Sequence, residues 1–302
     1  MNKKKLWMSG SSGFIGKQLK YHLQSTYDIT CISHATKFSQ SQNSKNLYKL
    51  NFLKCVDIEK LILKIGKPDI FIHLGWGDMQ NNSSLIHLHE NIESSKNLIN
   101  CFFKNNIKKF IFIGSYEEYG DKNRILYENT LQQGKLSNYG KGKEIVANYG
   151  LNKSKKSISN FLHIRLSHTY GPGQRKSSLI NYLYNSAMNH EPIFLNPRND
   201  FRDLIHITEV VTGIELLIKQ NKSITVNLGS GEMYLLKDYI LEFWSQMDQK
   251  INDIHFEKCH DTSTKIVGKL DLTFLYELTK WNPSLSLEDG IKLTINELKK
   301  SG

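Results

Sequence analysis

The chain has 302 residues, a hydrophobic fraction of 39% and a formal net charge of +11. This length suffices for one large α/β domain or two joined ones, and no run approaches the roughly 20 apolar residues of a membrane span. Because the lysines are scattered and form no basic arm, the charge favours anionic small molecules such as nucleotides over nucleic acid. We therefore expect neither a nucleic-acid partner nor a membrane partner.

The four cysteines are far apart in the sequence and show neither a CxxC pair nor the spacing of metal ligands. They are Cys31, Cys55, Cys101 and Cys259. Cysteines of this kind are typical of small buried residues in a reducing compartment. We therefore expect a cytoplasmic protein without a metal site.

A glycine-rich turn follows the first predicted strand, at residues 6–8, and precedes a helix predicted at 15–23. Gly10 permits a tight turn, Gly13 lets the backbone approach a pyrophosphate, and Gly16 lets the helix pack closely on the strand. The helix N-terminus adds unpaired N–H groups and the positive end of its dipole. The pattern predicts a dinucleotide cradle formed by Gly10, Ser12, Gly13, Phe14, Ile15 and Gly16.

The second strand, predicted at residues 28–33, ends without an acidic residue. In dinucleotide-binding folds an Asp or Glu near this end bonds the 2′-hydroxyl of the adenosine ribose. Here the corresponding residues are Ser33, His34 and Lys37, and the next acidic residue is Asp57. Since a carboxylate would repel a 2′-phosphate, its absence and the nearby lysine favour NADP(H) over NAD(H).

Strands and helices alternate after this point. We predict strands at residues 47–52, 70–74 and 110–113, and helices at 56–65 and 85–105. The continuously apolar run 110–113 is typical of strands buried on both faces, so the alternation predicts a doubly wound parallel sheet. Ligands bind at the carboxyl ends of such strands. Leu74, Gly75 and Trp76 are therefore candidate cofactor contacts, and Trp76 is also a candidate substrate contact.

Ser115 follows the strand at 110–113, and Tyr139 and Lys143 lie four residues apart on a helix predicted from about 137 to 149. Such spacing places two side chains on one helix face. A free tyrosine has a pKa of about 10, and a nearby ammonium favours the phenolate and lowers that pKa. Ser115 can bond the same reacting oxygen, so the three residues predict a proton-transfer site.

Motifs along nearly the whole chain resemble those of the NAD-dependent epimerase/dehydratase family, extended short-chain dehydrogenases/reductases that act on nucleotide sugars. The matching segments are GSSGFIG (10–16), HLGW (73–76), GSYEEYG (114–120), YGKGK (139–143), RLSHTYGPGQ (165–174), FRDLIHI (201–207) and VNLGSG (226–231). The resemblance implies that Ser115, Tyr139 and Lys143 are catalytic and that Tyr139, Lys143 and Asn91 contact the cofactor. It also implies a homodimer, in which the helices at 85–105 and from 139 pair across a two-fold axis.

The resemblance further implies a Rossmann-type fold with a smaller C-terminal substrate-binding lobe. The dinucleotide-binding domain would comprise residues 1–165 plus about 203–229, and the nucleotide-sugar lobe 166–202 and 230–302. We predict a sixth strand at 165–170 and a further strand of the main sheet at 224–228. An arginine fork of Arg198 and Arg202 would suit the diphosphate of the substrate.

Three reactions use this catalytic triad, namely 4-ketoreduction, 4-epimerisation and 4,6-dehydration. A dehydratase also needs an acid and a base, usually the two residues after the Ser or Thr, which here are Tyr116 and Glu117. Tyr116 replaces the usual Asp or Ser, and an NADP preference suits a dissociating reductant. We therefore expect NAD(P)H-dependent reduction of a nucleotide-linked 4-keto-6-deoxy sugar. An epimerase or dehydratase with tightly bound NAD is the alternative, and a non-catalytic dinucleotide-binding regulator is less favoured. Ser115, Tyr116, Glu117 and Tyr139 are then the substrate contacts at the strand end.

Overall fold

The structure, a computed structural model, describes residues 3–34, 46–120, 125–196, 200–256 and 268–301. The chain forms two compact units. One comprises Met1–Gly120, Leu131–Leu166 and Ile214–Val226, and the other Asp121–Thr130, Ser167–Gly213 and Asn227–Gly302. Within the described ranges, no helix combines the length and apolar character that crossing a bilayer would require.

The first unit is built on a seven-stranded sheet. Its strands are β1 (Lys5–Ser9), β2 (Asp28–His34), β3 (Leu47–Leu50), β4 (Ile70–His73), β5 (Lys109–Ile113), β6 (Asn160–Leu166) and β11 (Ile224–Leu228). Their order is β3-β2-β1-β4-β5-β6-β11, and the five pairs from β3 to β6 are parallel. The chain runs outward from β1 to β3 and resumes on the other side of β1 at β4. Such a reversal opens a ligand crevice at the carboxyl ends of the strands, and the predicted doubly wound parallel sheet is confirmed.

Helices pack on this sheet through an aromatic core. They are α1 (Phe14–Leu23), α2 (Cys55–Ile65), α3 (Glu90–Lys104), α4 (Asn138–Ser154) and the second half of α6 (Ile207–Ile218). Phe71 of β4 stacks on Phe102 of α3, with ring centroids 4.3 Å apart, and Val146 of α4 joins the same fully buried cluster. Burial of large aromatic side chains is a main stabilising term in such a core.

The helix predicted over residues 85–105 is interrupted. Leu85–His87 form a 3-10 turn, and α3 begins only at Glu90 because His89 has non-helical dihedral angles (φ −112°, ψ −83°). The side chain of His87 is bonded to Trp76 and to the Asn81 carbonyl oxygen. Apolar periodicity does not reveal such polar contacts, so the prediction of one continuous helix is wrong.

The sixth strand also differs from its prediction. β6 begins at Asn160, α4 continues to Ser154 rather than ending near residue 149, and the predicted run 165–170 combines the end of β6 with a separate strand, β7 (His168–Tyr170). Phe161 and Ile164 of β6 are fully buried. The mixed apolar and polar sequence of residues 160–164 does not indicate a buried strand.

The second unit contains short strands and helices around its own core. The remaining strands are β8 (Ile193–Leu195), β9 (Phe201–Arg202), β10 (Leu204–His206), β12 (Tyr234–Leu235) and β13 (Ile254–Phe256), and the helices are α5 (Leu179–Met188), α7 (Leu236–Gln246), α8 (Thr273–Thr279) and α9 (Leu287–Ser301). β7 pairs with β10 and β8 with β13 in parallel, whereas β9 and β12 are antiparallel. Phe243 and Trp244 of α7 and Ile291 of α9 lie at the centre of its buried cluster.

The segment 203–213 belongs to the second compact unit, whereas the family resemblance implies that it is part of the dinucleotide-binding domain. The buried carboxylate of Asp203 accepts hydrogen bonds from the backbone N–H groups of Ser230, Gly231 and Leu270, at 2.7, 3.2 and 3.3 Å. All three donors lie in the second unit. These bonds join segments far apart in the sequence and hold Asp203 within the second unit. The predicted division into a dinucleotide-binding domain and a nucleotide-sugar lobe stays a prediction.

Cys55, at the start of α2, is joined to Cys101 of α3 by a disulfide, with Cα atoms 5.5 Å apart. Their separation of 46 residues hides this pair from sequence patterns, and the expectation of separate thiols is wrong for these two residues. Cys31 is free and buried, and Cys259 lies outside the described residues. Both sulfur atoms lie within 4.8 Å of a Glu59 carboxylate oxygen, but sulfur atoms joined in a disulfide are not thiolate ligands, so the expected absence of a metal site stays a prediction. Disulfides persist mainly in oxidising compartments, so this bridge does not support the predicted cytoplasmic location. That location stays a prediction.

Candidate active site

The glycine turn joins β1 to α1 as predicted. Gly10 has φ +73°, and a Cβ atom there would lie 2.6 Å from the backbone nitrogen of Gly75, so the ends of β1 and β4 approach closely. Gly13 donates from its N–H to the Gly10 carbonyl oxygen at 3.0 Å and is the N-cap of α1, which has no side-chain cap and no acidic residue in its first turn. An uncapped helix start of this kind can bind an anion.

A groove of about 560 Å³ begins at this turn. This volume is within the range of small-molecule sites. The predicted cofactor residues that line it are Gly10, Ser12, Ser33, His34, Gly75, Trp76 and Asn91. The Ser33 hydroxyl is buried and has no hydrogen-bond partner among the described residues. A cradle of backbone N–H groups and an unpartnered hydroxyl fit the phosphate and ribose groups of a dinucleotide.

The other predicted cofactor residues support this groove or lie elsewhere. Phe14 and Ile15 form the first turn of α1 with the buried Gly16. The Leu74 N–H donates to the Ser9 carbonyl oxygen at 3.3 Å. Lys37 lies outside the described residues.

Asn91 acts on the groove wall through its amide. Its Oδ1 accepts from the Gly77 N–H at 2.9 Å, and its Nδ2 donates to the Gly77 carbonyl oxygen at 3.1 Å. The side chain therefore fixes the loop after β4, which includes Gly75 and Trp76.

One face of α1 also lines the groove, and the sequence analysis missed it. Lys17, Lys20, Tyr21 and Gln24 share this face. Their spacing of three, four and seven residues from Lys17 is the helical periodicity, so a signal was present in the sequence. The two lysines bring positive charge to the groove beside Ser33 and His34.

The structure brings Ser115, Tyr139 and Lys143 together. Ser115 follows β5 as the N-cap of a 3-10 turn, Tyr116–Tyr119, and its side chain hydrogen-bonds that of Tyr139. Lys143 Nζ lies 5.8 Å from the Tyr139 ring centroid and donates to the Ile113 carbonyl oxygen at 2.8 Å. All three residues are buried, with exposed fractions of 6%, 8% and 4%.

The pKa of Tyr139 differs from the expectation. Burial, the largest cause, raises it above its ordinary value, and the Glu118 and Glu117 carboxylates raise it further, while the bond to Ser115 lowers it. Burial also lowers the pKa of Lys143 to about 7, opposed by Glu118. The predicted lowering of the Tyr139 pKa is therefore wrong, because burial raises that pKa and the Lys143 ammonium is directed at the Ile113 carbonyl. Tyr139 is held in its protonated form, as a proton donor must be.

Glu117 and Glu118 have different surroundings. The half-buried Glu117 accepts from the Tyr116 hydroxyl at 3.0 Å. The buried Glu118 accepts from the Ser115 N–H at 2.8 Å and from Arg165 Nε at 3.2 Å, and lies 3.1 Å from His163 Nε2. Although burial raises the pKa of Glu118, these neighbours lower it below its ordinary value. Glu118 thus anchors Ser115, a role that the sequence analysis missed.

Arg202, in the second unit, is hydrogen-bonded to two neighbouring side chains. Its Nη2 donates to Asp200 Oδ2 at 3.2 Å, and its Nη1 lies 3.1 Å from His168 Nε2. Arg198 lies outside the described residues. A contact between this fork and a diphosphate stays a prediction.

Comparison with known proteins identifies the family of this chain but does not distinguish among the reactions that members of the family catalyse. The family model "NAD dependent epimerase/dehydratase family" matches residues 6–229. A dTDP-4-dehydro-6-deoxyglucose reductase of Escherichia coli is 25% identical over 321 residues, covering 97% of this chain and 96% of the relative.

Two solved structures share the fold. A UDP-glucose 4-epimerase of Thermotoga maritima with UDP-glucose has a TM-score of 0.84 at 18% identity, covering 98% of this chain and 99% of the other. A dTDP-glucose 4,6-dehydratase of Bacillus anthracis in complex with NAD has a TM-score of 0.82 at 18% identity, covering 98% and 97%. The glycine turn, the Ser115, Tyr139 and Lys143 set and the match over most of its length show that this chain belongs to the NAD dependent epimerase/dehydratase family.

Proposed function

We propose that this enzyme reduces the 4-keto group of a nucleotide-linked 4-keto-6-deoxy sugar with NAD(P)H. The observation that carries the proposal is the buried Tyr139 hydroxyl beside the buried Ser115 side chain, because a new alkoxide needs one proton donor and one stabilising hydroxyl. The E. coli reductase, similar over nearly the full length of both chains, supports it.

Hydride transfer is the chemistry that a nicotinamide dinucleotide supplies when bound. The chain's own residues bind the cofactor and the substrate and supply the proton. The uncapped start of α1 binds the pyrophosphate, Ser115 holds the carbonyl oxygen of the sugar, and Tyr139 gives that oxygen its proton. Lys143 contacts the nicotinamide ribose, and Arg202 binds the substrate diphosphate. The Trp76, Tyr116 and Glu117 side chains contact the sugar.

The alternative reactions are supported by different relatives. Structures of a UDP-glucose 4-epimerase and a dTDP-glucose 4,6-dehydratase share the fold, and both reactions retain NAD tightly. A dehydratase would use Tyr116 and Glu117 as acid and base, whereas here the two side chains bond each other at 3.0 Å. A non-catalytic regulator is less favoured, because it would have no use for a buried Ser115, Tyr139 and Lys143 set.

In the direct test, purified protein is incubated with nucleotide-linked 4-keto-6-deoxy sugars and with NADPH or NADH. We expect one molecule of NADPH to be consumed for each 4-hydroxyl formed. Inversion at C4 of a nucleotide hexose without cofactor consumption would instead identify an epimerase. Elimination of water from a nucleotide hexose without cofactor consumption would identify a dehydratase.

We expect NADPH to bind at least about 10-fold more tightly than NADH, a difference of about 1.4 kcal/mol. Among the described residues, the groove beside Ser33 and His34 is lined by Lys17 and Lys20 and also by Glu90 of α3, and the sequence has no acidic residue between Ser33 and Asp57. Ser33→Asp should reverse the order by repelling the 2′-phosphate, while the neutral Ser33→Asn should leave it unchanged. Fluorescence titration of both cofactors measures the change. Equal or tighter binding of NADH by the unaltered protein would contradict this preference.

We expect a homodimer in which α3 and α4 of two copies pack together. Most apolar residues of these helices are buried in the chain's own core. Ile145, Tyr149 and Leu151 of α4 pack against that core but are only half-buried, so their exposed parts are the candidates for an interface. Light scattering should give twice the chain mass of 34.9 kDa at micromolar concentration. Ile145→Glu should dissociate the dimer, and Leu63→Glu, at an exposed apolar residue of α2, should not. A monomer mass for the unaltered protein would refute this assembly.

A further inference from the structure

His87 is a fully buried histidine that the proposed reaction does not use. Its Nδ1 accepts from Trp76 Nε1–H at 3.0 Å and lies 3.2 Å from the Asn91 amide nitrogen, while its Nε2 lies 2.8 Å from the Asn81 carbonyl oxygen. Since a carbonyl oxygen only accepts, Nε2 carries the ring hydrogen and Nδ1 is free to accept. These bonds fix the plane of the Trp76 indole.

The fixed indole faces the Lys143 ammonium. Nζ lies 4.1 Å from the centroid of the Trp76 ring and 4.8 Å from that of Phe112. Its bonded partner is the neutral Ile113 carbonyl. The carboxylate of Glu118 favours the charged form of Lys143 but is itself held by His163 and Arg165. The aromatic face is thus a direct stabiliser of a buried cation, an arrangement that is strongest where water is excluded.

Backbone contacts hold the Trp76 segment against α4. A Cβ atom at Gly142, next to Lys143, would lie 2.5 Å from the His87 carbonyl oxygen and 3.2 Å from the Trp76 ring. The Tyr139 N–H donates to the Asn82 carbonyl oxygen at 3.0 Å. The loop after β4 and the catalytic helix therefore form one packed unit, and Trp76 also lines the groove.

We propose that Trp76, held in place by His87, is a positioning residue that favours the charged form of the Lys143 side chain and fixes that side chain beside the groove. The inference rests on the proposed catalytic role of Lys143 only for its kinetic consequence. Other titratable groups near Lys143 are His73 on β4, Glu118 after β5, Tyr139 on α4 and His163 on β6. Because the ring face stabilises the ammonium, its removal lowers the pKa of Lys143 from its value of about 7.

The first experiment needs neither substrate nor cofactor. The chain has four tryptophans, so the emission of Trp76 is taken as the difference between the unaltered protein and Trp76→Phe. We expect this difference to titrate near neutral pH, as the charge on Lys143 disappears, and we expect the transition to be absent in Lys143→Met. A transition that persists in Lys143→Met, or no transition in the unaltered protein, overturns the proposal whatever the reaction is.

The second experiment measures kcat/KM against pH. Trp76→Leu should shift the alkaline limb by about one unit toward lower pH. Trp76→Phe, which keeps an aromatic face, should restore most of this shift. His87→Leu, which frees the indole, should give a smaller shift in the same direction, whereas His89→Leu, at an exposed residue of the same segment, should give none. An unchanged limb in Trp76→Leu and His87→Leu overturns the positioning role, and absence of reductase activity with an intact fluorescence transition rejects only the proposed reaction.

Discussion

Replacing Tyr139 by Phe is expected to lower the turnover of the proposed ketone reduction by about 10²–10⁴-fold, the usual contribution of general acid catalysis. The substitution removes only the hydroxyl that bonds Ser115 and would protonate the new alkoxide. The ring keeps its edge-on contacts with His87 and Trp76. Dinucleotide affinity should therefore change little, and steady-state kinetics together with a binding titration separates the two effects.

Two further variants test whether the loss of turnover is specific to the Tyr139 hydroxyl. Tyr149→Phe removes another hydroxyl from α4, one bonded to Asn100 at 2.5 Å, and should leave turnover nearly unchanged. Glu117→Gln should matter much less than Tyr139→Phe, because reduction takes no proton from C5 of the sugar. In a dehydratase, Glu117→Gln would be as damaging as Tyr139→Phe. Solvent deuterium at C6 of the product, without NADPH consumption, would establish that reaction instead.

Replacing Gly16 by Ala is expected to destabilise the fold by about 1–3 kcal/mol, the typical cost of overpacking, and to weaken dinucleotide binding more than 10-fold. A Cβ atom at Gly16 would collide with the Gly10 carbonyl oxygen and lie 2.8 Å from the Cα of Ser11. These are backbone atoms of the phosphate cradle, so the turn itself must move. Chemical denaturation and cofactor titration measure the two consequences.

Gly13→Ala is the matched control in the same turn. Gly13 has φ −73°, and the nearest atom to an added Cβ is the Gly10 carbonyl oxygen at 3.3 Å. Unfolding free energy should therefore change by less than about 0.5 kcal/mol. The methyl group would nevertheless stand where the pyrophosphate approaches, and affinity should fall. Native stability and unchanged affinity in Gly16→Ala would show that the turn does not need this close approach.

The amino-acid sequence by itself determined the elements whose cause is local. The glycine spacing at Gly10, Gly13 and Gly16 predicts the turn, because backbone sterics act between neighbours. The apolar runs predict the parallel strands, and the four-residue spacing of Tyr139 and Lys143 places both on one helix face. The family motifs then implied the fold, which the structure confirms, and the triad, whose catalytic role stays a prediction.

Only the tertiary structure decided which distant groups meet. The Cys55–Cys101 bridge, the bonds of Asp203 to Ser230, Gly231 and Leu270, and the anchoring of Glu118 by Arg165 join segments 27 to 67 residues apart. Sequence periodicity carries no information on such partners.

The same holds for the charge state of the site. An ammonium four residues from a tyrosine lowers its pKa only if it faces the phenol, but Lys143 faces a carbonyl and an indole. Burial then raises the pKa of Tyr139 and lowers that of Lys143, because desolvation, which depends on the whole fold, outweighs the short-range pairing visible in the sequence.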